Sequence, residues 1–258
     1  WTSATRRRAL VQLGRDVRSL GNYYSFAPKI KSFARVEVRT AIGPGVLRYN
    51  SAILRAASAV RPDIVWIESA ALVWPRTLKQ IKESGAVLVH YTTDDLYNPG
   101  NFFGRNFRKG MCSYDFHITT NIPNVSELTA KGLNVIHSQL GYDHEIYFPR
   151  QLTGSDLLEY GAEVSFIGHW ERATELVVEH ALKRGLPVRL WGWWWQKAKS
   201  PRVKLIAQDW KDSAEEYAKA ICACKINLGF VSARNRSQTA GRTFEIPACG
   251  GFLLAPRT

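Results

Sequence analysis

Residues 238–256, QTAGRTFEIPACGGFLLAP, place a polar, glycine-containing loop before a helix-forming run, a Gly-Gly turn and an apolar strand. A helix start presents unpaired amides and the positive end of the backbone dipole. The amides of Ala240, Gly241 and Arg242 can therefore hold a diphosphate, with the Arg242 guanidinium adding charge. Glu245, one turn further in, is placed to accept hydrogen bonds from ribose hydroxyls. The bland alternative is that Arg242 and Glu245 only cap and solvate the helix, since short loop-helix patterns are common. A second loop, GHWER at 168–172, follows the apolar run VSFI. Gly168 permits close approach of backbone to phosphate, and Arg172 can neutralise charge as a diphosphate departs, or it can stand exposed in the first turn of the next helix. His169, a single His at a strand end, reads as structural.

Carboxylates come from TTDD at 92–95, directly after the apolar run AVLVHY. Asp94 or Asp95 can take the proton of an acceptor hydroxyl or orient it, with Thr92 beside them. Adjacent Asp residues can also chelate a divalent cation, but two carboxylates without further ligands are weak grounds for one. Turn and capping chemistry suits the same residues. Arg234 and Arg236, after an expected strand at 225–230, can face an anion or simply be solvated. Trp191, Trp193 and Trp195 would share one face of an extended chain, with Trp194 on the other, and packing is their expected use. Of Arg6, Arg7 and Arg8, not all can lie on one helical face.

The elements that must position these residues alternate. Strands are expected at 63–67, 86–91, 115–119 and 134–137, with helices at 4–13, 46–60, 75–83 and 123–131. After 141 the pattern pauses, then resumes with strands at 164–167, 187–191, 203–206, 225–230 and 251–254 and helices at 171–183, 213–222 and 243–249. Continuous apolar strands separated by helices imply parallel sheets covered by helices on both faces. The expected class is α/β with two Rossmann-like domains: 1–141 lacking its first strand, a linker at 142–162, and an incomplete 163–258. On this reading the chain is truncated at both termini. No GxGxxG follows a strand, which argues against a dinucleotide-dependent enzyme.

Composition narrows the partners. With 45% hydrophobic and 22% charged residues, the 258-residue chain is neither disordered nor fibrous. Its net charge of +13 is uneven: the first 62 residues hold 12 basic and 2 acidic side chains, leaving a near-balanced remainder. An anionic membrane surface, a nucleic acid or an anionic substrate would each suit such a balance. No apolar run is long enough to span a membrane. The four cysteines lack zinc or CxxC spacing and fit a reduced cytoplasmic setting. No helix-turn-helix, zinc or RNA-binding motif is present, so nucleic acid is disfavoured.

The run RTFEIPACGG, with VSFIGHW at 164–170 and the Trp191-Gly192 turn, resembles the donor domain of GT-B-fold glycosyltransferases, in the group-1-like branch that includes spore-maturation glycosyltransferases. The segments TSATRRRALVQLG at 2–14, HYTTDD at 90–95 and LGYDHEIYFP at 140–149 resemble the same branch. The resemblance implies two Rossmann-like domains across a cleft. It further implies a nucleotide-diphosphate sugar as co-substrate, held by Gly168, Arg172, Gly192, Gly241, Arg242, Thr243 and Glu245. Arg6 and Thr92 would meet the acceptor, and Asp94, Asp95 and Arg172 would serve catalysis. No metal or other cofactor is expected, and hexosyl transfer in the cytoplasm, with peripheral contact to an anionic membrane, completes the expectation. Retaining relatives carry another Glu eight positions before the ribose Glu. Here that position is Ser237, which leaves the donor sugar and the stereochemistry open. Two alternatives stand: a sugar-nucleotide epimerase of the same plan, and a non-catalytic basic module for anionic membrane or nucleic acid.

Overall fold

The computed structural model describes residues 2–69, 71–98, 100–101, 104–210, 213–232 and 235–257. It divides into two units, Trp1–Gln139 with Ala233–Ser237, and Leu140–Ser232 with Gln238–Thr258. Both are α/β with parallel sheets, in agreement with the sequence reading.

The first unit runs α1 (Thr2–Gln12), α2 (Lys31–Thr40), α3 (Pro44–Val60), β1 (Ile64–Glu68), α4 (Pro75–Glu83), β2 (Val87–Thr92), α5 (Gly104–Gly110), β3 (Phe116–Thr119), α6 (Ile122–Thr129) and β4 (Val135–His137). The strands pair in chain order, β1-β2-β3-β4. Pro44 and Pro75 open their helices, where a missing amide hydrogen costs nothing and φ is already helical. On α4, Leu78 and Ile81 sit three apart and bury one face against Leu88 of β2 and Phe107 of α5.

Register places His90 of β2 opposite His117 of β3, both fully buried. His117 Nε2 lies 3.0 Å from the Met111 carbonyl and must donate to it. Neutral His117 therefore accepts at Nδ1, and His90 Nδ1 donates across 3.3 Å. His90 Nε2 is left without a partner among the described residues, with its ring stacked on Phe107. Burial holds both imidazoles below their ordinary range, His90 also being disfavoured as a cation by His117. A base whose folded-state pKa is depressed binds fewer protons folded than unfolded, so stability falls as pH falls.

The second unit runs α7 (Gly154–Tyr160), β5 (Ala162–Ile167), α8 (Arg172–Lys183), β6 (Val188–Trp191), α9 (Pro201–Ile206), β7 (Ala207–Gln208), α10 (Ala214–Ala223), β8 (Cys224–Leu228), α11 (Arg242–Ala248) and β9 (Phe252–Leu254). Its parallel sheet has the order β7-β6-β5-β8-β9. From β5 the chain winds outward through β6 to β7, then returns to β8 on the other side of β5. The strand order thus reverses between β5 and β8, and open α/β sheets leave a crevice at the carboxyl ends of such a pair.

Three local expectations change. Residues 203–206 form the end of α9, not a strand: Pro201 opens a helical turn, Val203 is fully buried and Leu205 is 87% exposed, which is incompatible with period-two burial. The stretch 142–162 is no bare linker, since Thr153 and Asp156 make a reciprocal capping box that starts α7. A helix of one or two turns leaves too little periodicity to detect. The tryptophan run is not extended either, because Gly192 at φ 139° and Trp194 at φ 67° turn the chain, burying Trp195 and exposing Trp193 and Trp194. The buried imidazole pair makes a prediction for the first unit. Its stability should fall as pH drops through about 6.5, by up to roughly 1 kcal/mol per pH unit for each imidazole, and His90→Leu should flatten that slope in thermal melts from pH 7.5 to 5.

Candidate functional site

The crevice at the switch point is organised by Arg242, the first residue of α11. Its Nε donates to the Ile167 carbonyl at 2.9 Å and its Nη1 to the Phe230 carbonyl at 3.1 Å. One guanidinium therefore bridges the chain leaving β5 and the chain leaving β8, with the Phe166 ring 5.2 Å from its carbon. Two of its donor nitrogens are engaged by backbone, so Arg242 is a frame member first and a free charge second. Nη2 turns toward Gly168, where a Cβ would come within 2.5 Å of it.

Gly168 and Gly192 meet backbone to backbone. The Gly168 amide donates to the Trp191 carbonyl at 2.9 Å, and its own carbonyl accepts from Trp195 Nε1 at 2.9 Å. A Cβ on Gly192, at φ 139°, would lie 1.9 Å from the Gly168 carbonyl oxygen. Only glycine fits there, for both conformation and space. Thr243 closes the loop before α11 by accepting from the Ala240 amide at 3.2 Å. That amide, expected to face a diphosphate, is already satisfied internally.

Glu245 lies half-buried in the first turn of α11, its carboxylate folded toward Gly241, where a Cβ would sit 3.0 Å from Oε1. Burial raises its pKa, and Arg242 and the hydroxyls of Tyr217 and Tyr147 only partly offset this. Both tyrosines are buried and make an edge contact with ring centroids 6.0 Å apart. Neither was singled out in the sequence, although Tyr147 lies inside LGYDHEIYFP.

Arg172 is not free. Its Nη1 pairs at 2.8 Å with Glu175, a carboxylate with no exposed surface. Burial alone would raise the Glu175 pKa. The Ser200 amide, Trp170 Nε1, Arg172 and the Lys199 amide outweigh it and hold the carboxyl at about 2. Arg172 thus helps anchor the loop after β5 to the turn before α9. The same loop carries His169, whose Nε2 lies 3.1 Å from Glu171 Oε1, and Ser232 donates to that oxygen. His169, Glu171 and Ser232 thereby form a polar cluster on the two loops that leave β5 and β8, which their separation of over 60 positions hides in the sequence.

In the first unit the two aspartates have opposite surroundings. Asp95 is fully buried and receives Arg236 Nε at 2.6 Å and Nη2 at 3.2 Å, Asn124 Nδ2 at 2.7 Å and the Asn98 amide at 3.0 Å. Burial pushes its pKa up, but these donors, Arg236 foremost, bring it below the usual carboxylate range. Such a group is a poor proton acceptor and a good anchor for its loop. Arg236 also bridges to Glu127 at 2.6 and 2.8 Å. Asp94 is exposed, with Asn235 Nδ2 at 3.2 Å. Thr92 is buried, and its hydroxyl closes the 92–94 turn on Asp94 backbone. Arg6 forks onto Glu68 with two contacts of 2.7 Å, lies 4.3 Å over the Tyr91 ring, and shares Glu68 with Ser3. Arg234 lies outside the described residues. Among the described residues no group of three or more His, Cys, Asp or Glu side chains is arranged to hold a metal ion. A cavity of about 430 Å³ sits at the opposite ends of β5 and β6, lined by Glu163, Arg189 and Lys225, far along the strands from the switch point.

Residues 172–258 match the family described as glycosyl transferase-like, and this third of the chain is glycosyltransferase-like in sequence. No curated protein sequence matches the chain. The fold is GT-B-like. It is similar to a putative UDP-N-acetylglucosamine 2-epimerase from Listeria monocytogenes (TM-score 0.52, 14% identity, 86% of this chain and 66% of that one). It is similar as well to a glycosyltransferase from Rickettsia africae (0.54, 17%, 82% and 62%) and to sucrose-phosphate synthase from Thermosynechococcus elongatus (0.53, 11%, 82% and 60%). The chain thus spans less than two thirds of the length of each.

Two substitutions check the geometry. Gly192→Ala should destabilise the second unit by roughly 2–4 kcal/mol in denaturant melts, through strain and the Gly168 clash. Asp95→Asn should destabilise the first unit by about 2 kcal/mol while Asp94→Asn changes it by less than about 0.5, an ordering that equal melts for both variants would overturn.

Proposed function

We propose that this chain carries the donor- and acceptor-binding units of a glycosyltransferase that moves a hexosyl group from a nucleotide-diphosphate sugar to an acceptor, in the spore-maturation-type branch and without a required metal. The observation that carries the reading is the strand-order reversal between β5 and β8, with Arg242 joining the two strand ends. Gly168 and Gly192 offer side-chain-free backbone there, Arg242 turns one nitrogen toward Gly168, and Glu245 stands one helical turn away.

On this reading the diphosphate lies against Gly168 and the start of α11, where amides, the helix dipole and Arg242 Nη2 stabilise the charge that grows as the sugar leaves. Glu245 accepts the ribose hydroxyls, with Tyr147 and Tyr217 fixing its orientation. Arg242 reaches this place only because β5 and β8 are adjacent, so donor binding depends on the return of the chain to β5. His169, 39% exposed beside Glu171, becomes a candidate donor to the leaving group or the sugar, a role first read as structural. In the first unit, exposed Asp94 is the better proton acceptor for an acceptor hydroxyl, while Asp95 and Arg236 hold its loop. We place the reaction in the cytoplasm, with the basic N-terminal quarter turned toward an anionic membrane that bears the acceptor. No helix among the described residues is long and apolar enough to cross a membrane.

A second reading is epimerisation of the donor, favoured by the likeness to a structure titled as a UDP-N-acetylglucosamine 2-epimerase over 86% of this chain. Calorimetric titration with a panel of uridine, guanosine and thymidine diphosphate sugars tests the site. At least one donor should bind, and Glu245→Ala and Arg242→Ala should each weaken it by roughly tenfold, the loss expected for one charged hydrogen bond. Undiminished affinity in both variants sinks the donor-site assignment, and conversion of donor alone to its 2-epimer replaces transfer by epimerisation.

A further inference from the structure

Four cysteines stand free, and two of them meet. Cys222, near the end of α10, places its Sγ 3.4 Å from the carbonyl oxygen of Cys249, directly after α11, and 3.8 Å from that of Phe148. Cys222 is partly exposed whereas Cys249 is buried. One cation, Arg150, acts on both thiols. The Arg150 amide donates toward Cys222, and the Arg150 guanidinium acts on it electrostatically. That side chain is itself held by the Ile146 carbonyl at 2.9 Å and by Glu215 at 3.6 Å, and its Nε is buried without a partner among the described residues. The Cys249 thiol and Arg150 lower the Cys222 pKa against the effect of burial, while donation to Cys222, together with burial, raises that of Cys249. The asymmetry is that of an attacking thiolate beside a resolving thiol. Cys224, two residues on, shows the contrast: buried against the Tyr160 carbonyl at 3.3 Å, it is pushed up.

We propose that Cys222 and Cys249 form an oxidation site that hydroperoxides convert to a disulfide. Cys222 thiolate attacks one peroxide oxygen, the O–O bond breaks, and hydroxide leaves, giving Cys222 sulfenic acid. The Cys249 thiol then attacks that sulfur, the S–O bond breaks, and water departs with the thiol proton. In sum the two sulfurs lose two electrons, and hydrogen peroxide is reduced to water and hydroxide, which the medium neutralises. The bridge ties the end of α10 to the end of α11. Tyr217 of α10 interacts with Glu245 of α11, so the bridge would join the two elements that already meet at that carboxylate.

The test uses the full reduced chain, one equivalent of hydrogen peroxide, alkylation and peptide mass mapping. The expected product is a single cross-linked Cys222–Cys249 peptide lacking two hydrogens, with Cys112 and Cys224 alkylated. In Cys249→Ser, dimedone should trap sulfenic acid at Cys222 at least about tenfold more than at Cys112, and in Cys222→Ser position 249 should stay unmodified. Without peroxide, alkylation of Cys222 should titrate below the ordinary thiol value of about 8.5. Oxidation confined to Cys112, or absence of the dimedone adduct from a Cys249→Ser protein with a wild-type circular dichroism spectrum, overturns the proposal.

Discussion

The second unit depends on one guanidinium shared between two strand ends. A parallel sheet with a reversed strand order leaves carbonyls at the carboxyl ends of β5 and β8 that no ladder satisfies, and Arg242 supplies donors to both. An unpaired buried carbonyl costs about 1–3 kcal/mol, so this bridge is part of what keeps the crevice walls at fixed separation. It also fixes where α11 starts. Because Glu245 is one turn from Arg242, a constraint that satisfies backbone also sets the position of the only acidic side chain in α11.

The glycines follow from the same closeness. Gly192 can turn over Gly168 because neither carries a Cβ, and Trp195 completes the contact by donating to the Gly168 carbonyl. Glu175 serves the outer side of the same loop, gathering Trp170, Arg172 and the amides of Lys199 and Ser200 around one buried carboxylate. A charge with four donors is tolerable inside; the same charge with one removed is not. The loop after β5 is therefore held at its carbonyl, at its glycine and at its first helical turn, which is the rigidity a binding loop needs to present backbone to a ligand.

Legibility in the sequence tracked the range of the interaction. Strands β1 to β6 and helices such as α4 declared themselves through local apolar patterning and initiating prolines, and their observed bounds fall within about two residues of those expected. Where a local signal had two solutions it misled: VKLI at 203–206 reads as a strand until Pro201 and the exposed Leu205 choose a helix. Residue types at the crevice were legible too, since Gly168, Gly192, Arg242 and Glu245 do converge on the switch point or its first helical turn. Their partners were not. Nothing in TTDD distinguishes Asp94 from Asp95 until Arg236, over 140 positions away, arrives on one of them. Tyr217 and Ser232 were missed for the same reason, as both gain meaning only from residues brought in by the fold.

This bears on the charge. The arginines singled out by position, Arg6, Arg172 and Arg236, are each neutralised by a carboxylate within hydrogen-bond distance, namely Glu68, Glu175 and Asp95 with Glu127. Each of those carboxylates is also held by other donors, and Glu175 and Asp95 are fully buried, so drawing the arginine away from either would leave a buried charge one donor short. Arg242 differs from these three, being engaged through Nε and Nη1 by backbone carbonyls that carry no net charge. Its position is fixed, and its charge acts on Glu245, one turn away. A charge held in place stabilises a nearby anion without reorganisation. The distinction between a carboxylate-paired arginine and a backbone-held one is invisible in a count of +13 and appears only once the fold brings their partners in.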